Sequence, residues 1–449
     1  MNRNLTSGST VKCLLMFSLP YLFSYFLQTL YGMADLIIVG KLDGVAGTTA
    51  VSVGSQIMHM LTVIIVGLAM GTTVGIGKSV GAGDGRRAAK YIGNSAVLFA
   101  AISVVLAGVL IVLVRPIVSL MSTPADAAAG TAAYLRICFA GIPFITAYNI
   151  ISSVFRGMGD SKTPMYFIAV ACSVNIGLDF LFVGAFDLGP AGAALGTVLS
   201  QAVSVAVSLI FVRRRHDIGL CKEDLCPSGG IIGKILRVGA PIAVQDGLIQ
   251  VSFAIITIIA NRRGLSDAAA VGIVEKIIGF LFLVPSSMLS SVSALGAINI
   301  GAEKPRRARR TLYCAMAIAA GFGLAVSALM QFTAEGAVTL FTDTSADGAD
   351  EVIRLGGQYL RGYIWDCTFA GVHFSFSGYF CAVGRSELSF MHNIAAIVLV
   401  RIPGAYMTSK LFPQTLFPMG LATAAGSLLS VIICIAAYAL LRRKDNKIA

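Results

Sequence analysis

Twelve stretches of about twenty apolar residues, separated by short charged or glycine-rich breaks, constrain this chain more than any other feature. Such a run, wound as a helix, crosses some 30 Å of hydrocarbon. In lipid, every backbone N–H and C=O has to be satisfied inside the element that carries it. The runs centre near Phe26, Ile64, Val104, Phe144, Val174, Val203, Phe253, Phe282, Ile318, Phe369, Ile397 and Ile432. Many contain Gly, Ser or Thr, which let membrane helices approach closely. The composition is 56% hydrophobic and 12% charged, too poor in charge to coat soluble domains of this total length. No cleavable signal is expected, because the first run is long and shows no small-residue cleavage pattern.

The formal net charge of +12 raises the question of a nucleic-acid partner. The positions of the basic residues answer it. With the N-terminus in the cytoplasm, most of them fall in cytoplasmic segments, including Arg86, Arg87 and Lys90, Arg213 to Arg215, Arg306, Arg307, Arg309 and Arg310, and Arg442 to Lys444. Only Lys41, Arg115, Arg262, Arg263, Arg354 and Lys410 fall outside, and Arg136, Lys276, Arg361 and Arg401 lie within runs. This is the positive-inside asymmetry of a multi-pass protein of the cell (inner or plasma) membrane with both termini cytoplasmic. The charge reports orientation, and no nucleic-acid partner is expected.

The chain repeats itself after roughly 220 residues. Gly81-Ala82-Gly83-Asp84-Gly85-Arg86-Arg87-Ala88 recurs as Gly301-Ala302-Glu303-Lys304-Pro305-Arg306-Arg307-Ala308. Tyr134-Leu135-Arg136 recurs as Tyr359-Leu360-Arg361, Gly159 and Ser161 as Gly384 and Ser386, and Pro20 as Pro241. Six runs per half is an even number, so the halves are parallel repeats related by a pseudo-two-fold axis along the membrane normal. The expected fold is an all-α integral membrane protein of twelve transmembrane helices in two six-helix lobes, residues 1–212 and 233–449, joined by a cytoplasmic linker at 213–232. Two such lobes facing each other suit a transporter, although a channel can also be duplicated.

Enzyme motifs fail on inspection. Gly71 to Ser79 reads GTTVGIGKS, but a P-loop needs its first Gly where Thr72 stands, and Gly75-x-Gly77-x-x-Val80 misses the dinucleotide fingerprint. Cys221 and Cys226 lack a second pair and read as free thiols rather than a metal site. No enzyme activity and no cofactor are expected, and any transport is expected to run on an ion gradient.

A charge inside hydrocarbon costs at least a few kcal/mol, so carboxylates within spans call for a cause. Asp35, Asp179, Asp246, Glu275 and Asp366 are such residues, and none recurs in the other half. Arg136 and Arg361 do recur, which suits interfacial anchoring or a structural salt bridge. Helix 1 is expected to end near Val39 and helix 5 near Ala185, placing Asp35 ~6 Å and Asp179 ~9 Å from their outer ends. Asn175 is one turn deeper than Asp179 on the same face, and Thr197 is ~12 Å inside helix 6. Carboxylates with an amide carbonyl and a hydroxyl form a hard-oxygen set suited to a small cation, and two nearby carboxylates allow proton exchange. The competing reading is a helix–helix hydrogen-bond network or a solvated cavity wall. Pro20 removes a backbone hydrogen bond from helix 1, giving it a hinge or a packing kink. Gln28, Tyr31, Asp246, Glu275 and Asp366 are the candidates for lining a substrate cavity, with aromatic faces suited to an organic cation.

At this point the chain resembles the multidrug and toxic compound extrusion (MATE) family over its whole length. The resemblance is carried by Ala34-Asp35-Leu36-Ile37-Ile38-Val39-Gly40, by the Gly81-Ala82-Gly83-Asp84…Arg87-Ala88 loop, by Arg156-Gly157-Met158-Gly159-Asp160-Ser161-Lys162-Thr163-Pro164, and by Asn175-Ile176-Gly177-Leu178-Asp179. It implies export of organic, mostly cationic, compounds in exchange for H⁺ or Na⁺ by alternating access. It further implies that Asp35, Asn175, Asp179 and Thr197 form the cation-coupling cluster, with Pro20 the bending proline, in a monomer surrounded by membrane lipid. Leu178-Asp179 resembles the DinF-like branch more than the NorM-like branch. The alternative is a lipid-linked precursor flippase of a related two-lobe class, which would need several basic residues in its cavity.

Overall fold

The computed structural model describes residues 5–214, 221–342 and 348–448, and among them it is helical almost throughout. The helices are α1 (Thr10–Leu42), α2 (Gly44–Gly81), α3 (Gly85–Val112), α4 (Val114–Leu120), α5 (Ala125–Ala140), α6 (Ile142–Gly157), α7 (Lys162–Asp179) and α8 (Gly189–Arg214). After a 3₁₀ turn at Lys222–Leu225 follow α9 (Gly229–Asn261), α10 (Leu265–Leu281), α11 (Leu283–Gly301), α12 (Pro305–Thr339), α13 (Ala349–Tyr363), α14 (Trp365–Val383), α15 (Ser386–Ala396), α16 (Ile402–Leu411) and α17 (Phe417–Ile448). Ten helical segments among the described residues are long and apolar enough to cross a membrane. The fourth apolar run is an eleventh, broken by 50° between α5 and α6. Pro143 sits in the first turn of α6 and supplies no N–H, so the break at Gly141 costs little backbone bonding. The tenth run lies in α13 and α14, where Asp350, Glu351, Arg354, Arg361 and Asp366 lower its hydropathy.

The repeated motifs have backbone reasons. Gly83 and Glu303, at matching positions of the two loops, both adopt positive φ, +72° and +58°. Gly159 and Gly384 also match, at +85° and +87°, each ending a helix in the left-handed conformation that glycine tolerates best. Asp160 then caps the next helix, accepting from the Thr163 amide and, at 2.6 Å, from its hydroxyl. Asp84 caps α3 through the Arg87 amide at 2.9 Å.

The contacts gather the chain into two compact units. One holds Leu19–Ala243 with Gly301–Glu303; the other holds Met1–Ser18, Val244–Ile300 and Lys304–Ala449. The boundaries fall inside α1 and α9, so contact units and sequence repeats partition the chain differently. Within the first unit, Ile38, Val39, Phe139, Ile142 and Val183 form a core between α1, α5, α6 and the turn that follows α7. Within the second, Tyr359, Leu360 and Tyr363 anchor α13 against Met419 of α17.

Small residues set how closely those helices pack. A Cβ on Gly420 would run into the Tyr359 carbonyl, and one on Gly362 into the Phe417 carbonyl, so α13 and α17 touch backbone to backbone. Gly420→Leu is expected to destabilise the fold by about 1–3 kcal/mol, lowering the melting temperature in detergent. Gly108→Leu, where nothing lies within 4 Å, is expected to melt with the wild type. Equal melting of both variants contradicts the close approach.

Candidate cation-binding site

Four side chains expected at one depth meet in the first unit. Asp35 comes from α1, Asn175 and Asp179 from consecutive turns of α7, and Thr197 from α8. All are withdrawn from solvent, with Asp179 at 0% and Asn175 at 1% exposure. The Thr197 hydroxyl donates to Asp35 Oδ2 at 3.1 Å. Asp179 and Asn175 are the next polar neighbours of the Asp35 carboxylate. The expected helix limits hold at two of three places: α8 begins at Gly189, and the helical path beyond Asp179 ends at Ala185. Helix α1 runs on to Leu42, three residues past the expected Val39, so Asp35 is ~10 Å from its end.

Two local features bring the carboxylates together. Directly after Asp179 the helix widens into a π-helical turn, Phe180–Ala185. Such turns shift the register of the side chains around them. Gly196 lies against Asp179 Oδ1, where any Cβ would collide with the carboxylate. Sequence reasoning passed over Gly196, although a glycine one residue before Thr197 was the available signal.

The polar atoms are left under-used by the protein itself. Asp35 Oδ1, both Asp179 oxygens, and Asn175 Oδ1 and Nδ2 are buried without a hydrogen-bond partner. Buried oxygen acceptors without donors are costly unless something electropositive joins them. Two carboxylates side by side also repel, and one proton or one small cation relieves that repulsion. Oxygen-only donors of this kind fit H⁺ or Na⁺ and suit a softer transition metal poorly. Among the described residues no cluster of three or more His, Cys, Asp or Glu is placed to hold a metal.

The substrate-cavity candidates are divided between the two units. Tyr31 lies one turn before Asp35 on α1 and is close enough to feel its charge. Gln28, a further turn back, neighbours Tyr148 of α6. Asp246, Glu275 and Asp366 belong to the second unit. Glu275 is half-buried and accepts from the Thr257 hydroxyl at 3.3 Å. Asp246 is half-buried beside Gln245, whose Oε1 accepts from Ser389 at 2.7 Å. Asp366 is not the accessible acid that a cavity lining requires. It is fully buried, and its Oδ2 accepts from Arg401 at 2.7 Å.

Arg401 is the partner the sequence reading left unassigned, although two opposite charges within spans of one half were the signal for a pair. It ends a second π-helical turn, Ile397–Arg401, between α15 and α16. Its guanidinium also sits over the Phe253 ring, 5.5 Å from the centroid. The recurring Arg361 pairs with Glu335 at 3.1 Å, as a structural salt bridge.

These positions can now be set beside known proteins. The MatE family model matches residues 20–181 and 241–407, two segments that begin at Pro20 and Pro241. The chain belongs to the MATE family. This is a family of transporters, not of enzymes. Over 416 residues the chain is 27% identical to the probable multidrug resistance protein YpnP of Bacillus subtilis, covering 93% of this chain and 92% of that one. It is 23% identical over 412 residues to the multidrug export protein MepA of Staphylococcus aureus, covering 90% and 88%. Its fold matches the outward-facing conformation of a multidrug resistance MATE family transporter with a TM-score of 0.90 at 23% identity, covering 98% of this chain and 97% of that one. The MATE chain described here is therefore a multi-pass membrane protein with the twelve-helix, two-lobe fold.

The buried ion pair allows a direct stability test. Arg401→Met strands the Asp366 charge and is expected to cost about 3–5 kcal/mol. Adding Asp366→Leu removes that stranded charge, so the double variant is expected to regain most of the loss. Thermal unfolding of the four proteins in a double-mutant cycle checks this, and additive losses contradict the pairing.

Proposed function

We propose that this MATE transporter is a secondary active multidrug exporter of the cell membrane. It exchanges organic, mostly cationic, compounds for H⁺ or Na⁺ by alternating access, with both termini in the cytoplasm. The observation that carries the reading is the buried Asp35–Asn175–Asp179–Thr197 cluster, in which Asp35 Oδ1, both Asp179 oxygens and Asn175 Oδ1 lack donors. A cation arriving there neutralises the carboxylate pair, and its loss restores their repulsion. Site occupancy and the shape of α1 and α7 are thus coupled, because Asp35 is fixed to one helix and Asp179 to the other. Each elementary charge moved inward supplies about 2.3 kcal/mol per 100 mV of membrane potential.

MepA is named a multidrug export protein and YpnP a probable multidrug resistance protein, which supports the same cargo class here. Pro20 lies inside the uninterrupted helix α1, in the same span as Asp35, where its missing hydrogen bond favours bending. The Leu178-Asp179 pair supports a DinF-like rather than a NorM-like branch. So does the second unit, where Arg401 already neutralises the buried Asp366. That pairing also leaves Arg401 unsuited to hold a pyrophosphate, which weighs against the lipid-linked precursor flippase. Cavity lining falls to Gln28, Tyr31, Asp246 and Glu275, with the protein acting as a monomer among lipids.

Asp35→Asn and Asp179→Asn are each expected to abolish gradient-driven transport, by at least ~100-fold, while leaving folded, membrane-inserted protein. The assay is uptake of a fluorescent organic cation into everted vesicles, with H⁺ and Na⁺ gradients imposed separately. The gradient that drives wild-type uptake names the coupling ion. Wild-type rates in both variants sink the assignment of the cluster.

A further inference from the structure

Several arginines near helix ends are bonded within the protein. Arg86 pairs with Asp224 at 2.9 Å and with Glu223 at 3.2 Å, and Arg385 pairs with Glu387 at 3.3 Å. Arg307 donates to the carbonyls of Ser7 and Gly8, both at 2.7 Å. One group in the second unit is different. Arg306, Arg309 and Arg310 open α12, and Arg442 and Arg443 lie near the end of α17. Among the described residues their side chains have no hydrogen bond and no ion pair. The two helix ends are neighbours, because the Tyr313 and Tyr438 hydroxyls share a hydrogen bond of 2.8 Å and their rings meet edge to face at 6.2 Å. Arg309 and Arg310 lie one turn before Tyr313, and Arg442 lies one turn after Tyr438. Arg309 is also close enough to act on Tyr438 electrostatically. Like charges gathered in this way repel one another, and an anion relieves that repulsion.

The surface that continues from these arginines is apolar. On α12 the exposed residues Arg306, Arg310, Tyr313, Ala317, Gly321 and Leu324 are three or four apart, so they form one stripe along the helix. On α17 the exposed residues Leu428, Ile432, Ile435, Ala439 and Arg442 repeat the pattern in the opposite chain direction. Each stripe therefore runs from a guanidinium through small or apolar side chains into a span long enough to cross a membrane. A Cβ on Gly321 would meet nothing within 4 Å, so the stripe of α12 is open there. Free phosphate has a use only for the arginines. A phospholipid has a use for both parts, since its charge belongs at the helix ends and its hydrocarbon along the stripes.

We propose that α12 and α17 form a binding surface for one anionic phospholipid, with its headgroup phosphate held by Arg309, Arg310 and Arg442 and its acyl chains laid along the two stripes. Guanidinium groups match phosphate oxygens two bonds at a time. The tyrosine pair adds a donor, because only one of its two O–H groups is spent on the other hydroxyl. A headgroup with net negative charge is preferred to a zwitterionic one, whose own cation is repelled by the remaining arginines. Tyrosine at the level of the headgroups is in its usual place in a membrane protein. The surface lies in the second unit, is separate from the Asp35–Asp179 cluster, and stands independently of the transport reading.

Native mass spectrometry of the purified full chain, offered equal amounts of phosphatidylglycerol and phosphatidylcholine, tests this. The wild type is expected to retain one phosphatidylglycerol about 10-fold more tightly than phosphatidylcholine. Arg310→Gln with Arg442→Gln, one exposed residue from each helix, is expected to remove that preference while the melting temperature stays unchanged. Arg87→Gln with Lys90→Gln removes the same charge from exposed positions of α3 and is expected to keep the preference. Equal retention of the two lipids by the wild type overturns the proposal. So does an equal loss in both double variants, which marks diffuse attraction to net charge. Glycerol 3-phosphate added in excess is expected to leave the lipid in place, and its displacement of the lipid overturns the assignment of the acyl chains to the stripes.

Discussion

A carboxylate inside a bilayer has to find a partner, and the way this chain resolves its buried acids organises the rest of its structure. Asp366 receives a permanent partner in Arg401, which makes it part of the scaffold. Among the described residues Asp35 Oδ2 accepts from the Thr197 hydroxyl, while Asp35 Oδ1 and both Asp179 oxygens have no donor. The protein thus holds one buried acid paired with an arginine, its Oδ1 still without a donor, and two acids side by side with no cationic side chain bonded to either. Under the proposed function the first arrangement belongs to the scaffold, and the second responds to a cation. A transporter needs that response, because an ion-driven cycle works only if occupancy changes the preferred conformation.

The two π-helical turns sit at these same places. Phe180–Ala185 follows Asp179, and Ile397–Arg401 delivers Arg401 to Asp366. In each repeat a wide turn in the fifth helix sets the charged residue against its neighbours. The repeats have kept this backbone device while their side chains have diverged, carboxylate in one and guanidinium in the other. The prolines show the same economy: Pro20 and Pro241 recur in the sequence and both fall beside a change of unit within a helix.

Much of this was legible in the sequence. Spans could be read because lipid demands a run of fixed length. The depth of Asp35, Asp179, Asn175 and Thr197 could be read because a helix rises by a constant increment per residue. The Arg401–Asp366 pair could not be derived from depth alone, because rotation of α14 against the π turn decides whether the two meet. The break between α5 and α6 is a single residue, Gly141, and a hydropathy window averages over it. The bonds from Arg86 to Asp224 and from Arg307 to the carbonyls of Ser7 and Gly8 join residues far apart in sequence through polar groups with no periodicity. Charge placement told the side of the membrane on which those arginines lie, and only packing shows what they hold.

The proposed function puts the coupling cation between Asp35 and Asp179. It is tested most directly by ion binding to purified protein, without transport. Proton release on addition of an organic cation is measured in weakly buffered detergent, alongside binding of radioactive Na⁺. About one ion event is expected per wild-type protein, proton or sodium, and neither in the Asp35→Asn, Asp179→Asn double variant. A folded double variant that still releases the proton or binds the sodium contradicts it.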